Sequence, residues 1–321
     1  MQDGFLTENK PEVTQARAGL ASRVFDNAYV LLPLTMLLWA GNAVVGRGAA
    51  GVVPPLHLSW LRWTLAAIII LPMAWPHLKR DWPVIRTHWA VLAMLGGLGA
   101  GIFVAIYYIG LSKTTAINGV IINSSVSMLI PIAVFAIYRE TITRVQAAGI
   151  LVSFAGVLIV LTKGDLAVLR TLQLGEGDLW VITAMVIWAV YTALLREQPK
   201  VHWLSFAAIS FCVASLVDLP LFIGEVIYGK HIQPTLAAFL MIAYVSIFPS
   251  VLAQIFYVRG VELIGSNRAA IFMHLIPIFG ATLAVLFLGE RLHLYHFGSL
   301  ALVASGVWLA SRPANPKGAG V

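Results

Sequence analysis

The amino-acid sequence predicts an all-α membrane protein of ten transmembrane helices, arranged as two inverted five-helix repeats. The chain of 321 residues is 60% hydrophobic and only 11% charged, whereas soluble domains carry about 25% charged residues. Its apolar residues form continuous runs that approach the ~20 residues needed to cross a bilayer. A stretch from residue 107 to residue 156 also returns, in looser form, from residue 257 to residue 306, and an internal repeat of this kind shapes the whole fold.

The composition argues against several other classes of protein. A transmembrane β-barrel would alternate polar and apolar residues in segments of ~10 residues, and the runs here are continuous. The net charge of +7 comes from basic residues that lie singly between apolar runs, so it indicates membrane topology rather than binding to nucleic acid. The single cysteine, Cys212, excludes an internal disulfide and a cysteine-based metal cluster.

The repeat is recognised by position more than by residue identity. In each copy an apolar run ends at a glutamate, Glu140 or Glu290, and a short polar link leads to a second apolar run. That second run carries a Gly-Val pair at the same place in both copies, beginning at Gly156 and at Gly306. A further echo upstream aligns Trp39, Asn42 and Arg47 with Trp188, Tyr191 and Arg196.

The predicted spans follow a polar N-terminal segment. Residues 1–27 lack the apolar core and cleavage site of a secretory signal and are predicted to form a cytosolic tail. The first repeat is predicted over residues 28–162, a linker over 163–177, the second repeat over 178–311 and a C-terminal cytosolic tail over 312–321. The ten spans are predicted near residues 28–47, 56–75, 87–111, 115–138, 145–162, 178–196, 202–224, 235–258, 267–288 and 292–311.

The basic residues orient these spans. Most of those outside the apolar runs fall on one face, including Lys79, Arg80 and Arg86, so both termini are predicted to lie in the cytoplasm. Because five is an odd number, the second repeat must then enter the bilayer from the opposite face. Two similar halves of opposite orientation suit alternating access around a site near the bilayer midplane.

Aromatic and polar residues in the middle of the spans are the first candidates for that site, because polar groups in hydrocarbon are costly. Trp39 and Asn42 are three residues apart in span one and share a helix face, and Trp188 and Tyr191 repeat this spacing in span six. Both tryptophans fall in mid-span, away from the interfaces where tryptophans usually lie. They either line a central cavity or are bulky packing residues.

Spans four and nine carry three further candidates. Asn123 and Ser127 are four residues apart and share a face of span four, where they either contact a substrate or form interhelical hydrogen bonds. His274 in span nine is a packing group, a proton carrier or a substrate contact, since histidine titrates near neutrality.

Span eight carries a polar stripe. Ser250, Gln254 and Tyr257 fall at helical spacing and would face the interior of the bundle. Tyr107 is the repeat mate of Tyr257 and would lie towards the opposite membrane face, as inversion requires.

Other chemistry is not indicated. Asp218 is predicted near the outer end of its span and Glu140 and Glu290 close theirs, so the spans offer no cluster of acids for a metal-ion pump. The sequence contains neither a nucleotide-binding G-x-x-x-x-G-K-[ST] loop nor an H-E-x-x-H pair. It predicts no cofactor and no metal, and transport would draw on gradients. The glycines at positions 96, 97, 99 and 101 predict close helix packing in span three.

The ten-span layout, the duplicated halves, Arg62-Trp63 early in span two and the Gly-Val pairs after Glu140 and Glu290 resemble the drug/metabolite transporter superfamily of the EamA type. In the second half Pro277 precedes Glu290 at the family's spacing, whereas Ser127 takes that place in the first half. Within the superfamily the chain is similar to bacterial inner-membrane exporters of amino acids, including aromatic ones, and of methyl viologen. The resemblance implies a central cavity lined by spans one, three, four, six, eight and nine.

The sequence therefore predicts a secondary transporter of the inner membrane and not an enzyme. Its partners would be membrane lipid and a small-molecule substrate, an amino acid or a similar metabolite, with aromatic or cationic compounds included. The alternatives are a multidrug or nucleotide-sugar carrier, or a membrane protein that transports nothing, such as a scaffold or a lipid-modifying enzyme. An enzyme would need convergent acid, base or nucleophile groups, which the spans do not show.

Overall fold

The structure is a computed structural model that describes residues 25–124, 126–140, 144–162, 164–165, 175–264 and 272–310. The predicted C-terminal tail, nearly all of the predicted N-terminal tail and most of the predicted linker lie outside these ranges. Within them all regular secondary structure is helical, which confirms the all-α prediction for this part of the chain.

The described residues form thirteen α-helices, α1 to α13 in chain order. They are α1 Ala28–Gly48, α2 Pro55–Thr87, α3 Trp89–Gly96, α4 Phe103–Lys113, α5 Ala116–Ser124, α6 Val126–Tyr138, α7 Arg144–Leu161, α8 Glu176–Leu194, α9 Trp203–Ile227, α10 Leu236–Ser246, α11 Ala253–Ile264, α12 Leu275–Leu288 and α13 Leu294–Ala310.

Six of the described helical segments are long and apolar enough to cross a membrane. They begin at Ala28, Pro55, Trp89, Glu176, Trp203 and Leu236. The described helices of predicted spans four, five and nine contain shorter apolar segments, Leu129–Tyr138, Ala147–Ile159 and Leu275–Leu288. Large apolar side chains such as Leu216 and Phe287 are mainly exposed, at 68% and 74%, as a lipid-facing surface requires. The described chain is thus a multi-pass helical protein, and the count of ten spans stays a prediction.

Helix α2 extends well beyond its predicted end at residue 75. It runs for 33 residues, to Thr87, and continues past three internal prolines. At 1.5 Å per residue this is about 50 Å, longer than the ~30 Å hydrocarbon core. The apolar run ends near residue 75 but the helix does not, because Lys79, Arg80 and Asp81 continue it with polar side chains. Lys79 also lies over the ring of Trp75, 5.3 Å from its centroid.

Two π-helical segments interrupt the third and eighth predicted spans at equivalent places. Gly97–Ile102 joins α3 to α4, and Ile247–Leu252 joins α10 to α11, so the two segments begin 150 residues apart. A π-helical turn re-aims the side chains that follow it and is often found at functional sites. The sequence reasoning did not predict either segment.

Glycines within the first π segment and directly before it allow the close helix packing that the sequence predicts. A Cβ on Gly96 would lie 2.8 Å from the Cα of Ser210 on α9, so any larger residue would push the two backbones apart. A Cβ on Gly99 would lie 2.5 Å from ring atoms of Tyr191 on α8. The prediction of close helix approach in span three is confirmed at these positions.

Where α7 and α13 pack on each other, each helix places the glycine of its Gly-Val pair against the backbone of the other helix. A Cβ on Gly156 of α7 would lie 2.8 Å from the backbone oxygen of Ser299 on α13. A Cβ on Gly306 of α13 would lie 2.5 Å from the backbone oxygen of Gly149 on α7. Ser299 Oγ also donates a hydrogen bond to Gly156 O at 2.6 Å. The glycines of both Gly-Val pairs thus lie at close contacts between these helices.

Two ion pairs join corresponding helices of the two predicted repeats. Lys113, at the end of α4, pairs with Glu176 at the start of α8. Arg259, near the end of α11, pairs with Asp26 just before α1, at 2.7 Å. Helix α4 packs on α8, and α11 packs on α1. The third and sixth predicted spans are therefore joined in the same way as the eighth and first.

Candidate functional site

A buried arginine lies at the centre of the site. Arg62 follows the start of α2 by seven residues, or about 10 Å along the axis, and it is only 6% exposed. Its Nε donates to Ser250 Oγ at 2.7 Å, and its Nη1 donates to Asn42 Oδ1 and to Tyr108 Oη, both at 2.9 Å. The Trp63 ring lies against the guanidinium, 4.5 Å from centroid to Cζ. Arg62 thus joins α2 to α1, to α4 and to the second π segment.

The partners of Arg62 also hold one another. Tyr108 Oη donates to Asn42 Oδ1 at 2.6 Å, so the Asn42 oxygen accepts from two donors. Ser250 Oγ donates to the backbone oxygen of Val245, five residues earlier, at 2.7 Å. Asn42, Arg62, Tyr108 and Ser250 are called the Arg62 cluster below. All three partners are neutral, and no described carboxylate forms an ion pair with Arg62.

Trp39 lies on the same side of the bundle and contacts the second π segment. Its Nε1 donates to the backbone oxygen of Pro249 at 3.1 Å. Its ring lies 5.2 Å from that of Tyr257, between centroids. The structure therefore brings together two predicted site residues, Trp39 and Tyr257, beside Ser250.

A second group of side chains is aromatic. The Phe103 ring lies 4.7 Å from that of Trp188 and 5.8 Å from that of Tyr107. Trp188 and Tyr191 are 5.1 Å apart, and the Tyr191 ring covers Gly99 of the first π segment. Phe103, Tyr107, Trp188 and Tyr191 are called the aromatic cluster. Each of the two clusters thus includes or contacts one π segment.

The two clusters meet at consecutive residues of α4. The rings of Tyr107 and Tyr108 are 6.5 Å apart, and Tyr108 belongs to the Arg62 cluster. Asn123 of α5 lies beside the buried Tyr107 hydroxyl, although no described atom meets the geometry of a full hydrogen bond with it. Side chains of the first, second, third, fourth, sixth and eighth predicted spans are thereby in contact.

The remaining predicted site residues are less well defined. Gln254 is half-buried on α11, three residues before Tyr257. Ser127 lies in α6 and His274 ends the short 3-10 turn Phe272–His274, but the positions of both side chains fall outside what the structure describes. Their assignment to the site stays a prediction.

Asp218, predicted near the outer end of its span, lies in the second half of α9. Asp218 is fully buried and lies nine residues, or about 14 Å, before the end of α9. The apolar residues that follow it continue the helix, which the predicted boundary at residue 224 did not fully include. Ser59 Oγ donates to its Oδ2 at 2.5 Å, and no described residue contacts Oδ1 as a hydrogen-bond donor.

Glu290, one of the two glutamates of the repeat, caps a helix. Its carboxylate accepts hydrogen bonds from the backbone N–H of Ala116 at 2.7 Å and of Ile117 at 3.0 Å, at the start of α5. The first N–H groups of a helix have no intrahelical acceptor, and a carboxylate there also complements the helix dipole. The position of this glutamate after an apolar run thus has a structural reason.

Comparison with known proteins identifies the family. The profile of the EamA-like transporter family matches residues 27–162 and matches again over residues 175–312. The chain belongs to the EamA-like transporter family. EamA proteins are transporters and not enzymes, so this chain is a multi-pass membrane transporter, and the scaffold and enzyme alternatives fall away.

Similar EamA proteins do not identify the substrate. The chain is 26% identical over 297 residues to the uncharacterized transporter YyaM of Bacillus subtilis, which covers 89% of this chain and 93% of that protein. It is 28% identical over 294 residues to an uncharacterized transporter of Archaeoglobus fulgidus, covering 89% and 98%. A crystal structure with a TM-score of 0.60 and 18% identity covers 88% of this chain and 96% of the other, and it shares the fold.

The sequence reasoning missed the residues at the centre of the Arg62 cluster. In the sequence Arg62 stands out only through the family resemblance, and Ser250 only as part of a stripe. The signal was available, since an arginine within an apolar run is costly unless it has a function or a partner. Tyr108 had no such signal, because a tyrosine beside another tyrosine in an apolar run does not reveal which of them faces a cation.

Proposed function

We propose that this EamA transporter exports amino acids and similar small metabolites across the bacterial inner membrane, with both termini in the cytoplasm. The observation that carries the proposal is the contact between the Arg62 cluster and the aromatic cluster, which draw side chains from both family-matched stretches. A few well-placed polar groups among apolar and aromatic side chains are the usual design of a small-molecule site.

The ten predicted site residues divide by chemistry. Aromatic side chains would hold the apolar part of a solute, and amide, hydroxyl and imidazole groups would orient its polar ends. The aromatic group comprises Trp39, Tyr107, Trp188, Tyr191 and Tyr257. The polar group comprises Asn42, Asn123, Ser127, Gln254 and His274.

We further infer alternating access by two inverted halves of five spans each. Three features support it: the π segments at equivalent positions, the matching ion pairs Lys113–Glu176 and Arg259–Asp26, and the exchanged contacts of Gly156 and Gly306. Two halves that share such contacts can exchange conformations and open a site between them to one face and then to the other.

The proposed driving force is the gradient of the substrate itself. His274 and the buried Asp218 are two titratable groups inside the spans that a proton-coupled mechanism could use. Under the downhill mechanism, purified protein in liposomes releases a loaded amino acid at a saturable rate without a pH difference, and an imposed pH gradient changes this rate little. His274→Gln and Asp218→Asn retain the flux.

The experiment is a panel of radiolabelled amino acids, aromatic cations and nucleotide sugars in the same liposomes. Saturable release of amino acids alone supports the proposal. Release restricted to cations or to nucleotide sugars would contradict amino-acid export and would identify the protein as a carrier of that other class of solute. Uphill accumulation driven by a pH gradient, abolished in either variant, would replace downhill transport with proton antiport.

A further inference from the structure

The Arg62 guanidinium forms no ion pair with any described carboxylate. Arginine stays protonated at all relevant pH values, and a charge within the hydrocarbon region is costly unless it is paired. Its three described partners, Asn42, Tyr108 and Ser250, are neutral. Asp218 of α9 interacts with Arg62 electrostatically but forms no ion pair with it, and Ser59 holds the Asp218 Oδ2 atom.

The hydrogen bonds of Arg62 leave one edge of the guanidinium free. Nε is used by Ser250 and Nη1 by both Asn42 and Tyr108, which occupies three of the five N–H groups. No described residue accepts a hydrogen bond from Nη2, and Nη2 is not one of the fully enclosed unpaired atoms of the described residues. The Trp63 ring covers one face of the plane, so the free N–H groups point in a fixed direction.

The remaining edge fits an anionic group of modest charge. A carboxylate accepts charge-assisted hydrogen bonds from a guanidinium, and these are about twice as strong as bonds between neutral groups. A phosphate dianion would call for a second positive charge, and the described partners of Arg62 supply none. A cationic solute would be repelled by the positive charge of the guanidinium across a medium of low dielectric constant.

We propose that Arg62 Nη2 binds the carboxylate of the transported solute, so that the transporter selects carboxylate-bearing metabolites, such as amino acids, over organic cations. This inference rests on the proposed function and narrows its substrate class. The carboxylate supplies a countercharge that bonds directly to the guanidinium, and the rest of the solute lies against the aromatic side chains that adjoin the Arg62 cluster.

The test compares each amino acid with its amide, which keeps the side chain and removes the carboxylate. Phenylalanine, leucine and serine are each paired with the corresponding amide, and phenethylamine serves as a cation without a carbonyl group. Wild-type protein in liposomes is expected to transport the best acid roughly tenfold or more faster than its amide, since one charge-assisted bond lost in a buried site has this effect. Arg62→Gln is expected to lose that preference, and Arg62→Lys to keep part of it.

The matched control is Arg86→Gln, which removes an exposed arginine from the same helix and should leave the preference unchanged. Equal rates for acids and amides in the wild type overturn the inference without any variant, and so does an unchanged preference in Arg62→Gln. In both cases saturable flux still supports transport itself. Absence of saturable flux for every solute instead overturns the proposed function. If Arg62→Gln does not fold, the wild-type ratio and Arg62→Lys decide.

Discussion

Asp81 and Glu225 cap each other's helices: Asp81 lies on α2 and caps α9, and Glu225 lies on α9 and caps α2. Asp81, on α2, accepts hydrogen bonds at Oδ2 from the His202 N–H and from Ser205 Oγ, both at 2.8 Å, at the start of α9. Glu225, on α9, accepts at Oε2 from the His57 N–H at 3.0 Å and from its Nδ1 at 2.9 Å, near the start of α2. The two packed helices are therefore fastened at both ends by carboxylates.

The first prediction concerns this arrangement. Asp81→Ala should lower the free energy of unfolding by about 1 kcal/mol, the usual effect of losing a cap, and thermal unfolding in detergent would measure it. The control is Arg80→Gln, because the Arg80–Asp81 pair is on the surface, at 3.3 Å, and surface pairs contribute little. An Asp81→Ala variant as stable as Arg80→Gln would show that the cap does not stabilise α9.

The second prediction concerns two glycines of α13. Gly306→Ala should destabilise the protein by about 1–3 kcal/mol, because the added Cβ would meet the backbone of α7 and the helices would have to separate. Gly298→Ala, on the same helix, meets no atom within 4 Å and should be neutral or stabilising by up to ~1 kcal/mol, since alanine favours helix. Thermal unfolding of the two variants side by side checks this. Equal stability would exclude a tight contact at Gly306.

The third prediction tests the aromatic cluster. Trp188→Ala should reduce the rate of substrate efflux roughly two- to tenfold, because its ring contacts with Phe103 and Tyr191 position the aromatic surface. Trp89→Ala removes a tryptophan that is 67% exposed and should leave the rate unchanged. Efflux is measured per folded molecule, with folded protein counted by size-exclusion chromatography. Normal efflux by folded Trp188→Ala would make this tryptophan a packing residue only.

The fourth prediction is a pH dependence at the end of α6. Hydrogen bonds from Arg196 hold the pKa of Glu140 below its ordinary value of 4.5. A carboxyl whose pKa is lower in the folded state stabilises the fold above pH 4.5, and this contribution is lost as the pH falls through the folded pKa. The melting temperature of the wild type should therefore exceed that of Glu140→Gln at pH 7 by a small margin that narrows in acid.

Salt provides the control for that comparison. Both side chains are about half exposed, so the margin should also shrink at about 0.5 M salt, where charges are screened within a few ångströms. A margin that grows on acidification would contradict the proposed ion pair.

The fifth prediction concerns topology. In a Cys212→Ala background, Tyr228→Cys should react with an impermeant thiol reagent added outside the cell, because Tyr228 follows α9 and is 86% exposed. Lys200→Cys, in the turn before α9, should react only after the membrane is opened. Labelling of both positions from the same face would rule out a membrane-spanning α9 and with it the five-plus-five arrangement.

Much of the fold was predictable from the sequence because hydrocarbon imposes a simple rule on composition. Continuous apolar runs located most of the helices. The recurrence of Gly156 and Gly306 marked equivalent positions of the repeat, and only the structure shows that these glycines meet the partner helix. The end of α2 was not predictable from hydropathy, which records where apolar residues stop and not where backbone hydrogen bonding stops. The π segments were equally hidden, since they depend on one extra residue per turn and the two segments share little sequence.

The site was predictable only in part. Trp39, Asn42, Trp188 and Tyr191 were found by spacing and repetition, and the structure places them in or beside the two clusters. Which partner each residue takes depends on packing between distant helices. Trp39 bonds to the backbone at Pro249, and no property of either residue type indicates that pairing.

The exchanged glycine contact between α7 and α13 lies within one chain, but it resembles the contact of a symmetric dimer, in which each subunit presents the same surface to the other. Two identical subunits would have to place a copy of Arg62 on both sides of the axis, and two like charges inside the membrane would repel. A single chain escapes that constraint, because the corresponding stretch of α9 carries Phe211 and Cys212 in place of a second arginine. If the proposed site is correct, the near-symmetric arrangement would therefore hold an asymmetric solute in one orientation, with its two ends in contact with different side chains.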